Sequence, residues 1–372
     1  MSSHAKRVIV IGGGIIGVSS AVHLLREGAD VVLVTEAELA SGASGRSLSW
    51  LNSAGERSNP YHELRMAGID RYRTLFAADP SREWLRFDGG LHWAVDGSED
   101  ATRRRHAYER QHGYDSRLVD PGTVGAYTPN INPAAVAGTA VFNPGEGWVS
   151  LPDLIEFLME EFKNRGGELV THAGKATVVT TDGKATGVST ASGEKYDGDA
   201  VLVACGPQTP QVVSGLGVTI EDGSPVSMLV VTEPVEHGVR TVLNTPRAAT
   251  RPNPGSTLAV DHDWYEESIT ENGDGSFSIP EAVVQELLDE ATKLVEGTPE
   301  LKPASWKIGR KPIPGDGEPV FGELEQVPGC FVAFTHSGAT LGLIAGELLA
   351  GEILAGEKHP MLETFRPERF TQ

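Results

Sequence analysis

Apolar positions come in short dense runs separated by glycine-rich turns. "RVIVI", from Arg7 to Ile11, lacks the polar alternation of a half-exposed strand and predicts a strand buried on both faces of a parallel sheet. Ile15, Ile16, Ala21, Leu24 and Leu25 then recur at helical spacing, and Gly28 offers a C-terminal stop. A second apolar strand, Val31 to Val34, ends near Glu36. In mid-chain, "LPDLIEFLMEEFKNRGG" is an amphipathic helix with proline near its start and glycines at its end. The following stretch, from Gly166, predicts a strand and an antiparallel excursion with turns at Asp182-Gly183 and Ser192-Gly193. It ends in a buried strand from Ala200 to Ala204 that stops at Gly206. A last buried strand, "CFVAF", runs into "THSGATLGLIAGELLAGEIL", where a glycine turn opens a small-residue helix.

Gly12, Gly14 and Gly17 satisfy G-x-G-x-x-G, and here the motif has its full context of strand, turn, helix, strand and acid. Gly12 permits the tight turn, Gly14 lets a diphosphate approach the backbone, and Gly17 lets the helix pack close to the strand. The helix N-terminus supplies free N–H groups and a positive dipole end. Glu36 can accept from a ribose 2′-hydroxyl and would repel a 2′-phosphate, so the ligand expected is an FAD- or NAD-type dinucleotide and not NADP. After Glu36 comes "LASGASGRSLSWLNSAG" in place of further βα units. Such small residues let backbone N–H groups crowd an anion or a flat ring, which favours cofactor contact.

Composition changes this picture little. The 372 residues suffice for two domains or one elaborated α/β unit, and 39% hydrophobic content supports a core. A formal charge of -20 argues against nucleic-acid binding. Cys205 and Cys330 each lie in an apolar run and read as buried strand thiols. The chain starts without a signal-type apolar region and shows no apolar run read as membrane-spanning, so a cytoplasmic protein with no integral membrane segment is expected.

Taken in order, "VIVIGGGIIG", "SGASGRS", "FDGGLHWA", "GEGWVSLPDL", "VLVACGPQT", "KPIPGDGEPVFG" and "THSGATLG" resemble the FAD-dependent D-amino-acid oxidase, glycine oxidase and sarcosine oxidase superfamily. The resemblance implies an α/β fold: a Rossmann-type FAD-binding domain of glutathione-reductase-like architecture, beside a β-rich antiparallel-sheet substrate domain. Residues 1–85, 146–220 and 310–372 would form the first, and 86–145 with 221–309 the second. It implies a non-covalent FAD, no metal, a small amine or amino-acid substrate, and oxygen, a quinone or a carrier protein as electron acceptor. The reaction implied is hydride transfer to the flavin from a carbon bearing an amine, giving an imine that hydrolyses. Oxidation of a 2-hydroxy acid on the same scaffold, and a flavin-binding subunit without turnover, are the alternatives. Oligomeric state stays open.

Carried onto this sequence, the resemblance places Gly12, Gly14, Ile15, Ile16 and Gly17 in the phosphate loop, with Glu36 and Ala37 at the ribose. Ser44, Arg46, Ser47, Leu48 and Ser49 line the flavin, Ala176 approaches the adenine through its backbone, and Gly206 closes the strand beside the cofactor. Ser337, Gly338, Ala339, Thr340 and Leu341 open the last helix beneath the pyrimidine end of the ring, where a helix N-terminus stabilises negative charge. The family's G-x-R-P-x-x-x-D-G stretch presents an arginine to a substrate carboxylate. Here that position is Lys311, preceded by Arg310. Lysine lacks the bidentate fork. Four readings stand: Lys311 holds the carboxylate as a point charge, Arg310 takes over through a loop shift, the substrate lacks an α-carboxylate, or the pair serves the surface. Trp50, Tyr61, His92 and His336 complete the candidate pocket. "ASWKIGRKP" offers no cysteine for a covalent flavin link, and residues 221–292 hold no lysine to activate oxygen.

Overall fold

The structure, a computed structural model, describes residues 5–95 and 98–370. Its first sheet has six strands in the order Val320–Glu323, Cys330–Phe334, Ala200–Val203, Arg7–Ile11, Asp30–Val34, Glu168–Val170. All neighbours are parallel except the first pair, which is antiparallel. The dense apolar runs follow from burial on both faces. Val8 and Val10 pack toward helices Ile15–Arg26, Leu151–Asn164 and Gly338–Ala355, whereas Ile9 and Ile11 join Val188 and Ala176 of an antiparallel three-stranded sheet on the other side.

Helix Gly338–Ala355 has the length and apolar composition of a membrane-crossing segment, so the sequence does hold one such run, contrary to the expectation above. Here it is a core helix, set closely against Ile15–Arg26. A Cβ at Gly346 would lie 2.3 Å from Ser19 Oγ, and one at Gly342 would lie 2.6 Å from Ile15 Cγ1. Glycine therefore sets the distance between the two helices.

The second large sheet has eight strands, in the order Pro303–Arg310, Val226–Thr232, Thr257–Asp261, Ala249–Asn253, Val242–Asn244, Gly90–His92, Ala140–Asn143, Arg117–Val119. It is not antiparallel throughout, because Val242–Asn244 runs parallel to Gly90–His92 where the two distant chain segments meet. Leu287, Leu288 and Ala291 of helix Glu281–Thr292 cover its apolar face with Leu91, Val230 and Leu258. A small sheet of Trp50–Leu51, Gly147–Val149 and Leu85–Arg86 lies between the two units and sets Trp50 opposite Trp148.

Candidate active site

The glycine turn closes around backbone, leaving no room for side chains. Gly12 has φ +124°, and a Cβ there would lie 2.2 Å from the Ala204 carbonyl oxygen. One at Gly17 would lie 2.0 Å from the Gly12 oxygen. Both residues form the turn from behind, and neither lines the cavity in front of it. Gly14 caps helix Ile15–Arg26, whose first N–H, on Ile15, donates to Ser44 Oγ at 3.0 Å. The helix N-terminus and the serine-rich loop thus converge on one bare backbone surface, a cradle suited to a diphosphate.

That surface opens onto a cavity of about 410 Å³. Gly14, Ile15, Ile16, Ser44, Arg46 and Ser47 to Trp50 lie along one part of its wall. Gly206, Arg310, Lys311 and His336 to Thr340 belong to the rest. Ser49 holds φ +53° although it is not glycine, tied to Ser47 through its N–H (3.0 Å) and its Oγ (3.1 Å). Such a conformation costs on the order of 1 kcal/mol and persists where surrounding contacts impose it. Leu341 is fully buried in the helix behind the wall. Glu36, Ala37 and Ala176 lie outside the cavity, where the 172–174 backbone donates to the carbonyls of Thr35, Glu36 and Ala37. Ala176 itself pairs with Thr190 in the neighbouring sheet.

Arg310 and Lys311, adjacent in sequence, find different partners. Arg310 sends Nη2 to Glu271 (3.3 Å) and Nη1 to the Ser224 carbonyl (3.5 Å), over the Phe277 ring. Lys311 Nζ sits 3.6 Å from both Asp261 and Glu266. Both charges are already matched by carboxylates. His92 does not line the cavity; its Nδ1 meets the Asn244 carbonyl at 2.9 Å, and burial lowers its pKa to about 4.

The cavity's unmatched cations are elsewhere. Arg46, Arg57 and Arg65 all line it, and among the described residues none has a carboxylate within 4.0 Å. Arg57 and Arg65 lie over the Tyr61 ring, 5.5 and 5.4 Å from its centroid. Arg65, buried, donates from Nε to the Asn52 carbonyl (2.8 Å), from Nη2 to Asn52 Oδ1 (3.1 Å), and from Nη1 to Ser337 Oγ. Ser337 Oγ in turn meets the Tyr61 hydroxyl at 2.5 Å. Arg57 Nε is buried without a hydrogen-bond partner, and burial with the Arg65 charge lowers the Arg57 pKa to about 10. His336 has its ring surface open to the cavity. Even so, the surrounding protein, Arg65, Lys311 and Arg57 hold it near 4, hence neutral at pH 7.

The sequence reading missed Arg57, Arg65 and Asn52, although one signal was present. Arg57, Tyr61 and Arg65 recur every fourth residue into helix Asn59–Ala78, and so share a face. Also missed was Glu146, fully buried behind Trp50, which accepts from Trp50 Nε1 at 2.7 Å and from the Tyr114 hydroxyl at 2.6 Å.

A glycine-turn cradle and a strained small-residue loop, facing the eight-stranded sheet across one cavity, have the arrangement of a dinucleotide-binding protein. The chain belongs to the FAD dependent oxidoreductase (DAO) family, whose profile matches residues 7–352. It is 25% identical over 369 residues to the glycine oxidase of Geobacillus kaustophilus, covering 93% of this chain and 92% of that one. Among solved structures, glycine oxidase from the same organism superposes with a TM-score of 0.81 at 22% identity, over 98% of this chain and 99% of that one. The L-amino acid deaminase of Proteus myxofaciens, solved in complex with anthranilate, superposes with a TM-score of 0.84 at 17% identity, over 99% and 94%. The protein is an FAD-dependent oxidoreductase.

Proposed function

We propose that the chain oxidises the C–N bond of a small amine that carries a carboxylate, and that Arg57, supported by Arg65, receives that carboxylate. The observation that carries this reading is the pair of cavity-lining guanidiniums, Arg57 and Arg65, that have no carboxylate partner among the described residues and flank the buried Tyr61 ring behind the wall. An unpaired, partly desolvated guanidinium costs stability unless an anion joins it, and a carboxylate fits its fork. The full-length likeness to a glycine oxidase supports a substrate of this class.

Bound FAD supplies the hydride acceptor. The Gly14–Ile15 backbone and Ser44 would hold its diphosphate, and Glu36 its ribose. Ser337 to Thr340, at the N-terminus of the last helix, would face the pyrimidine end with a positive dipole. His336, neutral at pH 7, adds no charge that would oppose a cationic or developing iminium centre, whereas Lys311 stays with Asp261 and Glu266. The flavin is held without a covalent bond in this reading: strand Pro303–Arg310 has no cysteine, and burial pushes the Cys205 and Cys330 thiols up to about 12. Acid precipitation should then release all the flavin into the supernatant; yellow colour left in the pellet would contradict it.

Arg57→Met is the direct test. Removing one charge-assisted contact worth about 1.5–3 kcal/mol should raise KM for carboxylated amines roughly 10- to 100-fold, with a smaller change in kcat. Arg310→Met should leave KM within about twofold, because an exposed ion pair contributes little. The reverse ranking would return the carboxylate to the 310–311 loop. Bleaching of the flavin by 2-hydroxy acids and not by amines would favour the other C–H donor on this scaffold.

A further inference from the structure

The buried carboxyl of Glu146 lies behind Trp50 and has no part in the function proposed above. It belongs to "NPGEGWV", between strands Ala140–Asn143 and Gly147–Val149, and it is 0% exposed. Oε2 accepts from the indole of Trp50 at 2.7 Å and Oε1 from the Tyr114 hydroxyl at 2.6 Å. Tyr114 Oη also accepts from Ser53 N at 2.9 Å. The Trp50 carbonyl accepts from Asn52 Nδ2 (3.1 Å) and Thr340 Oγ1 (3.2 Å), so Trp50 is tied to the same residues that orient Arg65 and open the last helix. Space for the carboxyl comes from Gly90 in "FDGGLHWA": a Cβ there would lie 2.0 Å from Glu146 Oε2 and 3.1 Å from Trp50 Nε1.

We propose that Glu146 is the positioning residue for Trp50: its carboxyl fixes the indole edge and thereby sets the wall against which the substrate is held. The substrate clause rests on the amine-oxidation reading above; the Trp50 anchor does not. The neighbouring charges leave this carboxyl without a cation of its own. Arg105 is held by Glu109 at 2.8 Å, and Glu109 also takes Asn143 Nδ2 and Gly55 N. His92 and its strand flank the site on one side. From helix Asn59–Ala78, His62 packs edge-on against the Tyr114 ring, the Arg65 charge acts on Tyr114, and Arg73 donates to the Gly145 carbonyl. Burial, above all, raises the Glu146 pKa to about 8, and in either protonation state the carboxyl keeps an oxygen for the indole N–H. Ionisation above that pH turns the same contact into a charge-assisted bond.

The test uses the FAD-loaded protein and its Glu146→Gln, Glu146→Leu and Trp50→Phe variants. The near-UV dichroism of wild type minus Trp50→Phe isolates the Trp50 band. That band should change with a midpoint near pH 8. Gln keeps an acceptor but cannot ionise, so Glu146→Gln should keep the band and lose the transition. Glu146→Leu should lose the band and raise KM about tenfold with kcat changed less. A Trp50 band and KM unchanged by Leu, or a pH transition that survives in Gln, overturns the proposal. If the Leu variant does not fold, the Gln variant decides: a Trp50 band lost although Gln still offers an acceptor to the indole N–H overturns the proposal. A band that behaves as expected in a protein whose flavin no amine reduces would uphold the anchor and count against the amine reading.

Discussion

Side chains from adjacent positions of an extended segment leave in opposite directions, and Arg310 and Lys311 follow that rule to separate acids. Lys311→Met therefore has a cost unrelated to substrate: Asp261 and Glu266 are left facing each other without their cation. A loss of about 1 kcal/mol near pH 7, shrinking toward acid pH as Glu266, held by burial above the usual carboxylate range, takes up its proton, is the expected outcome in denaturant titrations. Titrating residues also set the pH range of stability. Burial lowers His23 and His92 from the ordinary 6.5 to about 4. The unfolded chain binds those protons first, so their contribution is present above 6.5 and is lost as pH falls toward 4. Glu146 runs the other way, raised from 4.5 to about 8: its contribution is full below 4.5 and is lost as pH rises through 8. Thermal midpoints should peak between these windows, at about pH 6 to 7. Glu146→Gln should flatten the alkaline side, and a curve unchanged on that side would contradict the assignment.

Elements formed by neighbours in sequence were legible, and contacts brought together by the fold were not. The turn at Gly12, Gly14 and Gly17 encodes its own geometry, because strand, turn and helix lie within twenty residues. Gly17→Ala would drive a Cβ to 2.0 Å from the Gly12 oxygen, and purified protein should contain little flavin per chain. Flavin content equal to wild type would mean that the turn has another role. Arg57 and Arg65 were not singled out in the sequence, since Ser337, 272 residues from Arg65, completes their surroundings. The "FDGG" and "GEGW" motifs were each visible alone. Only pairing of the strands shows that Gly90 in one makes room for Glu146 in the other.

For the whole molecule, the formal charge of -20 gave no hint of a cationic pocket, because net charge averages over a surface that the cavity does not share. The cavity lies where the six-stranded sheet's turns meet strand Pro303–Arg310 and the small sheet carrying Trp50, so ligands meet groups from both large units. The most direct measurement is anaerobic reduction of the bound flavin, followed by its visible absorbance, with amino acids of both hands, N-methyl amino acids and the matching amines lacking a carboxylate. Bleaching by one carboxylated class, little by its decarboxylated partner, and loss of that preference in Arg57→Met are the expected results. Readmitted air would then separate an oxidase from a dehydrogenase. A flavin that stays yellow with every amine, or that amines with and without a carboxylate reduce equally well, would contradict the proposed function.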